Sequence, residues 1–203
     1  LYYDADKEII WIGTHLGGLN KLDIRSGHFT HYRMEGNNPQ SLPSDIIRDI
    51  TPYKDLLIIA TQNGVCLFNP ANGQCRQLFK DSKEGKSIKM VADVVFDSEG
   101  TLWIAATGEG VFSYRFDTRK LTNYRHDAAN PNSLSNNNVN NITQDSKGNL
   151  WFSTSGSGLD LYRPETNDFE NFDKGKNGLA SDCIYETQES PTSGKLLLIT
   201  NEG

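Results

Sequence analysis

No apolar run in the sequence approaches the eighteen or so residues that a membrane-spanning helix needs. The densest runs, Leu56 to Ala60 and Leu196 to Ile199, have the length of buried strands. Basic residues are neither in excess nor clustered, and the formal net charge is −6. That argues against nucleic acid and anionic lipid as partners. Cysteine is sparse: the three residues are an odd number in no metal-binding spacing, which argues against a disulfide framework or a zinc site. No amphipathic helical pattern of useful length occurs. There is no initiator methionine and no signal peptide, and Gly203 falls inside a repeat. The sequence reads as an excised piece of a longer chain, so missing targeting signals say nothing about its parent.

What is present is a period. Trp11-Ile-Gly-Thr14, Ile58-Ile-Ala-Thr61, Trp103-Ile-Ala-Ala106 and Trp151-Phe-Ser-Thr154 recur every 45 to 48 residues, and Leu197-Leu-Ile-Thr200 opens a fifth unit. Turns such as Asp97-Ser-Glu-Gly100 and Asp145-Ser-Lys-Gly148 precede the Trp segment, and a glycine turn follows it. Third strands are expected at Leu19–Leu22, Val65–Phe68, Val111–Phe116 and Leu159–Tyr162. A second hairpin then leads to a last strand with paired large residues, as in Phe29 with Tyr32 and Phe169 with Phe172.

Four antiparallel strands per repeat is the geometry of a propeller blade. Neighbouring blades cover both faces, so central strands should be apolar on both sides, as Leu102-Trp-Ile and Leu150-Trp-Phe are. The expected fold is all-β, a partial β-propeller over 1–203. Its blades fall near 1–33, 45–80, 91–125 and 138–173, with the start of another at 182–203. Uncovered end blades would expose apolar surface, so self-association is expected.

With these residues in view, the chain resembles the two-component regulator propeller repeats. The pattern appears as Ile10-Trp-Ile-Gly-Thr14, Gly18-Leu-Asn20, and the linkers Asn38-Pro-Gln-Ser-Leu42 and Asn130-Pro-Asn-Ser-Leu134. Blade two departs, with Ile58 for Trp and Lys80 to Lys86 in place of the Asn-Pro linker. Such repeats occur in the extracytoplasmic sensor regions of hybrid two-component systems of polysaccharide-degrading gut bacteria. The resemblance implies a periplasmic portion of an inner-membrane sensor that binds an oligosaccharide and signals to a downstream histidine kinase and DNA-binding regulator. The partners implied are the remaining blades and downstream domains of the parent chain. No phosphoacceptor His or receiver Asp of that machinery maps onto this sequence.

Chemistry-bearing residues mostly have plain readings. His28 and His31 lie three apart on a strand, point to opposite faces and do not chelate one ion. Cys75 takes the place of Phe29 and Phe169, and Cys183 that of Ile46 and Val139, as small core residues. Cys66 and Cys75 lie on neighbouring strands of one hairpin; the register sets them diagonally, which weighs against a bridge and leaves the pairing open. The Asp-x-x-Gly turns lack the acidic ligands of calcium loops. Gly17-Gly18 and Gly156-Ser-Gly158 open no helix and are turns, not phosphate cradles. No catalytic group, metal or cofactor is expected.

A ligand would meet the loops that converge at one end of the blades. The linkers contribute Asp45, Arg48, Asn137, Asn138 and Asn140, together with Ser44 and Asn136; the turns between second and third strands contribute His15, Gln62, Glu109 and Ser155, together with Ser157. Amides and hydroxyls match the donors and acceptors of a sugar, and an Arg can pair with a uronate or sulfate. Two other functions compete: a propeller enzyme of lyase or quinoprotein type, and a protein-interaction propeller, for which the Trp-Asp and Gly-His signatures are missing.

Overall fold

The computed structural model describes residues 1–202; Gly203, the end of the fifth expected blade, lies outside the described residues. The chain folds into four four-stranded antiparallel sheets and one two-stranded sheet, each pairing strands in chain order. The first sheet is β1 (Tyr2–Asp4), β2 (Ile9–Gly13), β3 (Leu19–Asp23) and β4 (His28–Tyr32). The second is β5 (Ile47–Tyr53), β6 (Leu56–Thr61), β7 (Gly64–Phe68) and β8 (Cys75–Gln77). The third is β9 (Val91–Phe96), β10 (Leu102–Ala106), β11 (Gly110–Arg115) and β12 (Lys120–Tyr124). The fourth is β13 (Val139–Gln144), β14 (Leu150–Thr154), β15 (Leu159–Arg163) and β16 (Asp168–Phe172), and the last pairs β17 (Ile184–Glu189) with β18 (Leu196–Thr200). Among the described residues, helix is confined to a 3-10 turn at Gly85–Ser87 and the four-residue α1 at Lys174–Asn177. Two compact units divide the chain, Leu1–Val94 and the residues from Val95 on.

The Trp segments are second strands, and β10 is buried along its whole length. An aspartate fixes the hairpin that leads into two of them. Asp97 Oδ1 accepts from the Glu99 and Thr101 amides at 3.0 and 2.8 Å, while Oδ2 accepts from Trp103 Nε1 at 2.8 Å. Asp145 does the same with the Lys147 and Asn149 amides and, at 2.9 Å, with Trp151 Nε1. One carboxylate thus closes the turn and orients the indole. The second sheet has Ile58 here, whose side chain has no N–H to donate.

Aromatic clusters join adjacent sheets within each unit. Trp11 meets Tyr32 and Phe68 with ring centroids 6.0 and 5.5 Å apart. In the other unit Trp103 meets Tyr124, Phe152 and Tyr162 at 5.6, 5.5 and 4.9 Å. Phe169 packs on Phe152 and Tyr124, each at 5.6 Å.

Third strands begin at glycines that must be glycine. Gly18, Gly110 and Gly158 have φ of 71°, 79° and 82°, and a Cβ there would lie 2.2, 2.2 and 2.0 Å from the carbonyl oxygens of Tyr32, Tyr124 and Phe172.

The Asn-Pro-x-Ser-Leu linkers are folded straps. Ser41 Oγ accepts from the Glu35 amide, and Asn38 Oδ1 from the Gln40 amide; Ser133 and Asn130 repeat both bonds with Asp127 and Asn132. Leu42 and Leu134 are buried. Each strap is also tied to the outer strand of the sheet that follows it, through Cys75 N to Gln40 O at 2.7 Å and Phe169 N to Asn132 O at 2.8 Å.

Two cysteine expectations change. Cys66 and Cys75 form a disulfide. The register is diagonal as expected, Cys66 facing Gln77 and Cys75 facing Phe68. Twist at a three-residue edge strand nevertheless brings the two Cα atoms to 5.9 Å, within bridging range. Cys183 is a free, half-buried thiol. The buried residue at that place is Ile184, which corresponds to Ile47 and Val139, so the sequence alignment was one residue out.

Candidate functional site

Backbone hydrogen bonds bring the two nominated sets of loops together. In the first unit Gly18 N donates to Asp45 O at 2.9 Å, Ile47 N to Thr14 O at 2.9 Å and Gln62 N to Ile46 O at 3.1 Å. His15, Asp45, Arg48 and Gln62 therefore share one end of the first two sheets. In the second unit Gly110 N donates to Asn137 O at 3.0 Å and Ser155 N to Asn138 O at 2.9 Å. Glu109, Asn137, Asn138 and Ser155 sit correspondingly.

Several of these side chains are engaged by the fold itself. Asp45 Oδ1 accepts the Met34 amide at 2.7 Å, and Asn137 Oδ1 the His126 amide at 2.8 Å. Asp182 repeats this with the Lys174 amide at 2.6 Å. In all three the capped amide lies two residues beyond the outer strand's last aromatic residue, so the position stitches linker to sheet. Glu109 is paired with Arg125. Ser44 Oγ accepts the Ile46 amide at 3.1 Å, as Asn136 Oδ1 accepts the Asn138 amide at 2.9 Å. Asn136 Nδ2 also reaches Ser157 Oγ at 3.2 Å. His15, Arg48, Gln62, Asn138 and Ser155 remain exposed.

A device the sequence did not reveal sets the direction of two candidates. The first strands β5, β13 and β17 each carry a register shift, between Ile47 and Asp49, Val139 and Asn141, and Ile184 and Glu186. The extra residues are Arg48, Asn140 and Tyr185. A bulge leaves its residue outside the ladder and re-aims its side chain. Arg48 and Tyr185 emerge into solvent, whereas Asn140 Nδ2 donates to Ile184 O at 2.8 Å. Tyr185, 53% exposed, is a loop-end aromatic that sequence reasoning missed.

Beside the second group lies a polar cavity of about 340 Å³ lined by His126, Asp127, Ser133, Ser135, Ser157 and Lys176, among others. Beneath it is Asp160, fully buried and also missed. Burial pushes its carboxyl up to about 6, against the opposing hydrogen bonds of the Ser135 amide, the Asn171 side chain and the Ser135 hydroxyl and the charge of His126. The loop ends thus offer hydroxyls, amides and exposed side chains such as Arg48 in the first unit and Tyr185 in the second. Among the described residues no three His, Cys, Asp or Glu side chains are grouped to hold a metal ion.

Residues 133–156, from the second strap through the Ser155 turn, match the family model of the two component regulator propeller. The fold aligns with the extracellular domain of a hybrid two component system, BT3049, from B. thetaiotaomicron. The TM-score is 0.82 at 24% identity, covering 98% of this chain and 25% of that one. A second such domain, of BT4673 from the same organism, gives 0.77 at 21%, covering 96% and 25%. PorZ, a surface component of the type-IX secretion system of Porphyromonas gingivalis, gives 0.71 at 15%, covering 99% and 30%. At these identities the likeness is one of fold: the four-stranded sheets are propeller blades. The chain spans about a quarter of the length of the first two structures. No curated protein sequence matches it.

Proposed function

We propose that this chain is part of the extracytoplasmic sensor region of a hybrid two-component regulator, that it contributes to recognition of an oligosaccharide, and that it acts by binding rather than by turnover. The observation that carries the reading is the match to the two component regulator propeller over 133–156. That segment supplies Asn136, Asn138, Asn140 and Ser155 to the loop ends. Hydroxyl and amide groups at the loop ends of the second unit suit a polyhydroxylated ligand; in the first unit, Arg48 suits an acidic group on such a ligand. The Cys66–Cys75 bridge fits an oxidising compartment such as the periplasm. The kinase and regulator that receive the signal belong to the parent chain, as do the further blades. Apolar side chains left uncovered at Phe29 in the first blade and at Leu197 and Ile199 in the last support self-association of the isolated piece.

The test is binding of an oligosaccharide panel, by glycan array and then calorimetry, to the chain and to Arg48→Ala and Asn138→Ala. Saturable binding of one glycan class, weakened about tenfold in a variant, a loss of roughly 1.4 kcal/mol, supports the reading. Depolymerisation of a polysaccharide would replace it with the enzyme reading. Capture of one defined protein without any glycan binding would replace it with the interaction reading.

A further inference from the structure

Asp160 has no counterpart in the other blades. It stands third from the glycine that opens β15, where β3, β7 and β11 carry Asn20, Cys66 and Phe112. Its side chain is wholly out of solvent. A carboxylate so placed is costly unless it is bonded, and its partners come from the strap. Oδ2 accepts the Ser135 amide at 2.9 Å and the Ser135 hydroxyl at 3.0 Å. Oδ1 accepts Asn171 Nδ2 at 2.7 Å, and the same amide donates to Ser133 O at 3.1 Å. Asp160 and Asn171 therefore grip the strap on both sides of the buried Leu134.

The second blade shows that this grip is not a requirement of the fold. There the residue in the place of Ser135 is Pro43, which has no amide hydrogen to donate. The residue in the place of Asp160 is Cys66, bonded to Cys75. Amide and carboxylate occur together in one strap and are both missing from the other. The same strap also forms a wall of the polar cavity.

We infer that Asp160 is a proton-operated latch, which holds the strap 126–135 on the fourth blade when its carboxyl is neutral and lets it go more readily when the carboxyl is ionised. The sign follows from linkage. The latched state holds the Asp160 proton up to about pH 6, well above the ordinary 3.8 of an aspartate. In the neutral latch the proton sits on Oδ2 and is donated to Ser135 Oγ, 3.0 Å away, whose hydroxyl turns to accept it. Raising the pH through that interval ionises a carboxyl that the unlatched state would expose to water, so it favours release. The full effect between the two values is on the order of a hundredfold in the latching equilibrium. The charged groups facing the latch are His126 and Asp127 from the strap and Asp173 and Lys176 from the far wall of the cavity. The β14–β15 turn contributes the uncharged Ser157. His126 is the one whose charge acts on Asp160, in the direction of ionisation, and its ring nitrogen Nδ1 lies 2.9 Å from Leu134 O.

Hydrogen exchange of the whole chain at several pH values, corrected for intrinsic rates, tests this together with a carbon-detected NMR titration of the Asp160 carboxyl. Protection of the Leu134 and Ser135 amides should fall at least tenfold between about pH 4 and pH 6.5 and level off above about 6. Asp160→Asn should flatten that profile, and His126→Gln should move its midpoint while keeping it. A flat wild-type profile, or the same profile in Asp160→Asn, overturns the latch. If Asp160→Asn does not fold, the titration decides: a carboxyl carbon moving near pH 6, where the exchange profile levels off, supports the latch, and one moving near 4 overturns it. None of these readouts involves a ligand, so they stand apart from the sensor reading.

Discussion

The indole N–H of Trp151 donates to Asp145 across 2.9 Å, and the same carboxylate closes the turn that precedes the Trp strand. Trp103 and Asp97 make the same pair. Local turn chemistry and the packing of the second strand are thus one interaction.

Asp145→Ala should cost about 1–3 kcal/mol in denaturant unfolding, since it strands several donors at once. Burial raises the Asp145 carboxyl, but the bonds from Trp151 and Asn149 outweigh it and hold it below its ordinary 3.8. Its stabilisation is therefore complete above that value and is lost as the pH falls through the lowered one. The stability gap between wild type and Asp145→Asn should narrow as the pH is taken below about 4.

Phe169 and Phe29 hold the same place in their blades, opposite Tyr162 and Leu22. Their surroundings differ: Phe169 is 2% exposed and Phe29 45%. Phe169→Ala should cost about 3–5 kcal/mol and Phe29→Ala no more than about 1. Equal losses by calorimetry or denaturant titration would contradict the packing described.

Breaking the Cys66–Cys75 bridge, by reduction or by a double Cys→Ala variant, should cost about 2–3 kcal/mol for so short a loop. Mass spectrometry after alkylation of the unreduced native chain should find one modified cysteine, Cys183. Three modified cysteines without reductant would refute the bridge.

Gly158→Ala and Gly100→Ala both force a side chain into positive φ. Only the first also drives a Cβ to within 2.0 Å of a carbonyl; at Gly100 nothing lies within 4 Å. The Gly100 variant should lose about 1 kcal/mol and the Gly158 variant roughly 3 or more. Thermal melts of the two variants side by side separate the effects.

The strand plan was legible because turn residues and Trp segments repeat at a fixed interval, and a four-stranded unit is dictated by that order. The third strands Leu19–Asp23, Gly64–Phe68, Gly110–Arg115 and Leu159–Arg163 lie within one residue of those expected from the sequence. The bulges at Arg48, Asn140 and Tyr185 were not legible, since an extra residue in a ladder carries no side-chain signature. Asp160 was missed because its partner Ser135 lies 25 residues away and in another element. The available signal was an acid between Leu159 and Leu161 in a strand whose neighbours are buried. Within each unit the loop-end candidates lie at one end of the sheets, but Asp45 and Asn137 are occupied by backbone amides.

The straps impose an order on assembly. Asn38 to Leu42 is bonded to Cys75, and Asn130 to Leu134 to Phe169, in each case a strand made later than the strap. As the chain leaves the ribosome from its N-terminus, the first blade has all four strands before its strap has anywhere to lie. Each strap waits for almost the whole of the next blade to emerge and then closes over the seam behind it. Translation therefore fastens the blades in two pairs, the first to the second and the third to the fourth, each fastening waiting on the later member of its pair.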